Sequence, residues 1–152
     1  MEWSEIFLRL GGAALIGTAL GLNRYLNHKH IGVRTLGLVA VVAAALVAGA
    51  TETAGIDGAT RVIQGIITGI GFIGAGLIMR GPSEHAVHGL TTAATVWVSA
   101  AVGILCGLGA WRIVIATAAI VAVLLLGGGR LEKQLARHFD GKDTPPQPDA
   151  EE

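Results

Sequence analysis

From Val62 to Met79 the chain runs 18 residues without one charged side chain, "VIQGIITGIGFIGAGLIM". A β-strand is usually about 5–6 residues long, so this run is too long to be one. An amphipathic helix on a soluble core would show a charged face, and none is present. Inside the run, Gly69, Gly71 and Gly74 spell G-x-G-x-x-G. A dinucleotide-binding loop of that spelling needs a short strand before it, a helix after it and an acid about 20 residues on. After Glu84 the next acid is Glu132. The glycines therefore read as part of a helix that crosses a lipid bilayer.

Four further apolar stretches accompany it: Ile6 to Leu22, Thr35 to Ala50, Leu90 to Trp111 and Ile113 to Gly129. A spanning helix needs about 17–25 residues, and each stretch meets that length by itself or with its flanks. The expectation is an all-α membrane protein with five transmembrane helices over residues 1–129. Only 14% of residues are charged, against about 25% in soluble domains. The first stretch is preceded by acidic "MEWSE" and followed by no convincing cleavage site, so it reads as a retained helix rather than a signal peptide.

Basic residues set the expected orientation. Eight lie on one side: Arg24, Lys29, Arg34, Arg80, Arg130, Lys133, Arg137 and Lys142; three, Arg9, Arg61 and Arg112, lie on the other. This places the N-terminus outside and the C-terminus in the cytoplasm, with Trp3 and Trp111 at the outer interface. Residues 130–152 form a short cytoplasmic tail. Leu131, Leu135 and Phe139 give its first part an amphipathic spacing, and the Pro-rich acidic remainder reads as disordered.

Glycine, present 23 times, recurs at helical spacing: Gly17 and Gly21, Gly65 and Gly69, then Gly71, Gly74 and Gly76, and Gly103 with Gly107. Lipid tails are as apolar as leucine, so small residues that let backbones approach are what hold such helices together. These glycines are expected to pack helices within the chain, between copies of it, or against another membrane protein. Thr68, Thr91, Thr92, Thr95 and Ser99 supply hydroxyls able to bridge helices.

Little suggests chemistry. No nucleophile stands beside a base at helical spacing, so no enzyme is expected. Formal net charge is zero, which gives nucleic acid no basic patch. One cysteine, Cys106, excludes an internal disulfide and reads as a small buried apolar side chain. No cofactor or metal site is expected. His28, His30, His85 and His88 read as solvated loop residues. A Mg²⁺ path would be lined by carboxylates, yet Glu52, Asp57 and Glu84 lie near spans and none inside one. The polar candidates are Arg24 and Arg34 toward lipid headgroups, Asp57 and Arg61 as an i,i+4 pair opening the third span, Gln64 within it, and Thr91 and Thr92.

The segments "GGAALIGTALGLNR" (Gly11–Arg24), "GVRTLGLV" (Gly32–Val39), "TRVIQGIITGIGFIGAGLIMR" (Thr60–Arg80) and "HGLTTAATVWVSAAVGILCGLG" (His88–Gly109) resemble, in order, those of the MgtC/SapB family. The resemblance implies a multi-pass protein of the bacterial inner membrane. It also implies a role in magnesium homeostasis, adaptation to low Mg²⁺ and virulence. Members of the family are often labelled Mg²⁺ transporters; some look like modulators of other membrane complexes. The implied partners are membrane lipids and proteins such as the ATP synthase or transport ATPases, alongside self-association. This chain departs from the family at Asn23, where many members carry an acid, and at Thr91 and Val98, where some carry Asn and Cys.

Overall fold

The computed structural model describes the backbone of residues 1–26, 31–80 and 87–140, and their side chains except at 79, 80, 87 and 130–140. Its helices are α1 (Trp3–Leu26), α2 (Val33–Gly76), α3 (Leu90–Gly107) and α4 (Trp111–Asp140). A two-residue antiparallel ladder lies between α2 and α3, pairing β1 (Met79–Arg80) with β2 (Val87–His88). All four helices are long and apolar enough to cross a membrane.

Four helices rather than five is a correction to the sequence reading, and its cause lies in α2. At 44 residues, a straight helix would run about 66 Å, over twice the hydrocarbon thickness of about 30 Å. It is not straight. Gly55, at φ 64° and ψ −162°, leaves helical geometry in a region open almost only to glycine. The residues around it, "GATETAGIDGAT", hold no proline, so helical hydrogen bonding resumes on each side. Sequence reasoning expects a loop here; the chain makes a one-residue bend. The arms 33–54 and 56–76 fold back on each other, because Leu38, Val42 and Leu46 of the first line one groove with Ile66, Ile70 and Ile73 of the second. Ala43 and Val47 likewise share a core cluster with Ala59, Val62 and Ile63.

Residues 1–118 form one compact unit, and α4 from residue 119 onward belongs to a second. The core of the first is built of small side chains: Ala13, Ala40, Ala44, Val102, Cys106 and Val114, flanked by Leu10, Ile16, Val98, Leu105 and Trp111. The Trp111 ring packs over α1, 3.0 Å from where a Cβ on Gly12 would sit. Large apolar side chains point outward: Phe72 is 85% exposed, Trp3 75% and Phe7 71%. In water this would be an aggregation surface, whereas in lipid it is the ordinary exterior.

α3 starts after Gly89, whose φ of 93° is left-handed. A Cβ there would lie 2.0 Å from the Leu77 carbonyl oxygen, so only glycine closes this junction. The sequence reading divides span from tail at residue 129, but α4 continues to Asp140 through Gly127–Gly129. The Pro-rich remainder, 141–152, lies outside the described residues, as do His28, His30 and His85.

Candidate functional site

The first arm of α2 is clamped between α1 and α3 along a seam of glycines. A Cβ built on Gly17 would meet Ala40 Cβ and the Leu36 carbonyl oxygen, both at 2.8 Å, and one on Gly21 would lie 2.5 Å from Val33 Cα. On the opposite side, a Cβ on Gly103 would sit 2.3 Å from the Ala40 oxygen, and one on Gly107 2.6 Å from the Ala44 oxygen. Ala40 and Ala44 thus present bare backbone to glycines of α3, and a Cβ on Gly37 would likewise lie 2.8 Å from the Thr18 methyl. Spacing by four puts each glycine pair on one face, and the missing side chains allow backbone to touch backbone. Within the seam, Ser99 Oγ donates to the Leu36 carbonyl oxygen at 2.7 Å, a hydrogen bond between helices in a fully buried place.

The glycines of the second α2 arm are placed otherwise. Gly65, Gly69, Gly71 and Gly76 have nothing within 4 Å of a built Cβ, and Gly74 only Ala93 Cβ at 3.9 Å. Of the three uses expected for these glycines, packing within the chain is not the one seen among the described residues: the arm is held by its isoleucines, and its glycines face outward. Helical geometry puts Gly65, Gly69, Phe72 and Gly76 on one side. Gln64 is exposed, and Thr68 donates to the Gln64 carbonyl within its own helix at 2.8 Å. Thr95 similarly bonds back to Thr91.

The polar candidates separate. Arg34, Asp57, Arg61 and Thr91 are exposed. Asp57 and Arg61 do not pair; the ion pairs among the described residues join Glu5 to Arg9 and the Met1 ammonium to Glu52. Arg24, expected at the headgroups beside Arg34, is instead only 5% exposed. Its Nη2 donates to Thr92 Oγ1 at 2.5 Å. Arg9, which sequence reasoning counts only for topology, donates to the Gly107 carbonyl oxygen at 2.6 Å. The acids whose side chains are described, Glu2, Glu5, Glu52 and Asp57, lie at helix ends or at the α2 bend, and the described residues form no group of three metal-ligating side chains. His88 is exposed.

Sequence reading did not single out Gly37, Gly55 or Gly89. The signals were faint: Gly37 has no second glycine three or four residues away, and Gly55 sits in a polar break that resembles any loop.

A model of the MgtC family matches residues 10–134. The chain is 42% identical over 128 residues to Protein MgtC of Brucella abortus, a match covering 84% of this chain and 51% of that protein. It is 41% identical over 114 residues to Protein MgtC of Salmonella typhimurium, covering 75% and 48%. To Protein SrpB of Synechococcus elongatus it is 37% identical over 144 residues, covering 87% and 79%. The chain thus spans about half the length of the Brucella and Salmonella proteins. No solved structure matches.

Proposed function

The chain belongs to the MgtC family, and from that premise we propose that this multi-pass membrane protein is a non-enzymatic modulator in adaptation to low magnesium. It acts by docking the outer face of the second α2 arm onto a transmembrane helix of another membrane protein of the bacterial inner membrane. The observation that carries this reading is the uncovered glycine face: Gly65, Gly69 and Gly76 leave a shallow groove beside Phe72 that no other described residue fills. Close backbone approach is what such a groove offers a partner helix in lipid. Photocrosslinkers placed at positions 69 and 72 should capture a second membrane protein such as a transport ATPase or the ATP synthase. Capture of lipid and self alone would count against the docking reading.

In this proposal the chain crosses the bilayer five times, α2 twice with Gly55 at the turn. The N-terminus lies outside and the C-terminus in the cytoplasm, in keeping with the distribution of basic residues. A reporter fused to the last residue should be active on the cytoplasmic side, and periplasmic activity would reverse the assignment. The alternative, a Mg²⁺ transporter, draws on the family's usual label. It has less support from the geometry, since a path would have to use carbonyls and hydroxyls alone, without the one or two carboxylates that usually bind Mg²⁺. Mg²⁺ flux by purified protein in liposomes would favour it over docking.

A further inference from the structure

The arginines near the two ends of α1 are held differently. Arg9 has a carboxylate partner in Glu5 and donates to the Gly107 carbonyl in the last turn of α3. A cation at a helix C-terminus is favourable, so this charge is doubly compensated. Arg24, about 22 Å further along α1, meets the opposite end of α3. It contacts Thr92, in the first turn of a helix whose N-cap, Gly89, offers no side-chain cap. The first backbone N–H of α3 to find an acceptor is that of Ala93, bonded to the Gly89 oxygen at 2.8 Å. The N–H groups of Leu90, Thr91 and Thr92 have no acceptor among the described residues. The Nε of each arginine is buried without a hydrogen-bond partner; what sets Arg24 apart is that no described carboxylate pairs with its guanidinium.

A buried cation aimed at the positive end of a helix is electrostatically unfavourable, although the C-terminal carbonyls of α1 offset part of its charge. Three unsatisfied N–H groups, a threonine hydroxyl whose proton remains free to donate, and a planar guanidinium together suit one ligand: a tetrahedral oxyanion. We infer that the end of the bundle where α1 finishes and α3 starts binds a phosphate group between Arg24, Thr92 and the N-terminal turn of α3. That group is either inorganic phosphate or the headgroup phosphate of a phospholipid, since the site lies at the end of a spanning helix, where headgroups sit. The inference stands apart from the docking face, which lies on another helix.

Two arms test it on the full chain, purified in a detergent that carries no phosphate. Titration calorimetry with inorganic phosphate probes the free anion, and native mass spectrometry of protein extracted from phosphatidylglycerol-rich membranes probes retained lipid. One arm should give about one phosphate-bearing ligand per chain, and which arm does so identifies the source. Arg24→Gln should lower affinity or retention about tenfold or more, as loss of a charge-assisted hydrogen bond implies. Arg24→Lys should fall between, because an ammonium replaces the guanidinium fork. If Arg24→Gln does not fold, Thr92→Val keeps the charge and removes the hydroxyl, and should weaken binding a few-fold with the helical circular dichroism unchanged. Wild-type protein that binds in neither arm, or a Thr92→Val chain that binds as wild type, overturns the assignment. So does Glu84→Gln if it gains phosphate binding, because the chain's own carboxylate would then be the counter-charge.

Discussion

Glycines of the α1–α2–α3 seam and glycines of the outer α2 arm look alike in the sequence and do opposite things in the fold. Gly17, Gly21, Gly103 and Gly107 each sit where a single extra carbon would strike a neighbouring backbone at 2.3–2.8 Å. Gly65, Gly69, Gly71 and Gly76 would admit one freely. The first group is required by packing already present in the chain. The second costs helix propensity with no return from its own packing. A four-residue glycine repeat therefore records that a close approach is allowed, not that one is made.

The sharpest way to break this contrast is Gly103→Ala. Its methyl would fall 2.3 Å from the Ala40 oxygen and 2.9 Å from Ala40 Cα, both backbone, which cannot swing aside. The loss should lie at or above the upper end of the roughly 1–3 kcal/mol that overpacking typically costs. The readout is thermal unfolding in detergent micelles; a variant as stable as wild type would mean that α3 does not press on α2 as described. Gly55→Ala comes next and separates two causes. Nothing lies within 4 Å of its Cβ position, so any loss comes from backbone strain alone. About 1–3 kcal/mol is expected for forcing alanine into this region. A cysteine pair at Leu46 and Ile66 should crosslink less in that background, since the bend brings those arms together.

How far the sequence carries follows from the same residues. Long apolar runs, all but the first without a charge, mark the spans, because burying unpaired charge in lipid is expensive and its scarcity is visible letter by letter. All four helices fall where those runs lie, and the seam pairs stand at helical spacing. What the letters lack is the partner across each face. Gly65 and Gly103 differ only in what lies opposite, which depends on the rotation of each helix. Arg24 reads as a surface cation because nothing local tells whether α3 will cover it. The bend at Gly55 is hidden since its neighbours Ala54, Ile56 and Asp57 permit helix and loop alike, and tertiary packing of the two arms decides. Gly89 is similarly opaque: its need for glycine comes from Leu77, twelve positions earlier.

Ser99→Ala sharpens the account of the seam by testing its polar contact without changing its spacing. It leaves the Leu36 oxygen without the Ser99 donor in a fully buried place. Interhelical hydrogen bonds in membranes average about 0.6 kcal/mol, with a maximum of about 1.7. A loss within that range, below that of Gly103→Ala, would mean that backbone contact rather than the hydroxyl holds the seam.

The smallest effect on stability, and the one most able to reverse the comparison, belongs to Gly69→Ala. The residue has no neighbour within 4 Å of its Cβ position, and alanine favours a helix over glycine by about 1 kcal/mol. The variant should therefore match wild type or gain up to that amount in thermal unfolding. The added methyl nevertheless fills the groove beside Phe72. Photocrosslinking from position 72 should then lose its captured membrane protein while the fold remains intact. That combination, unchanged stability with lost capture, is what distinguishes a surface kept open for another helix from a position where glycine is incidental. Were Gly69→Ala to destabilise the chain as Gly103→Ala does, the outer arm would already be packed, and the two kinds of glycine would be one.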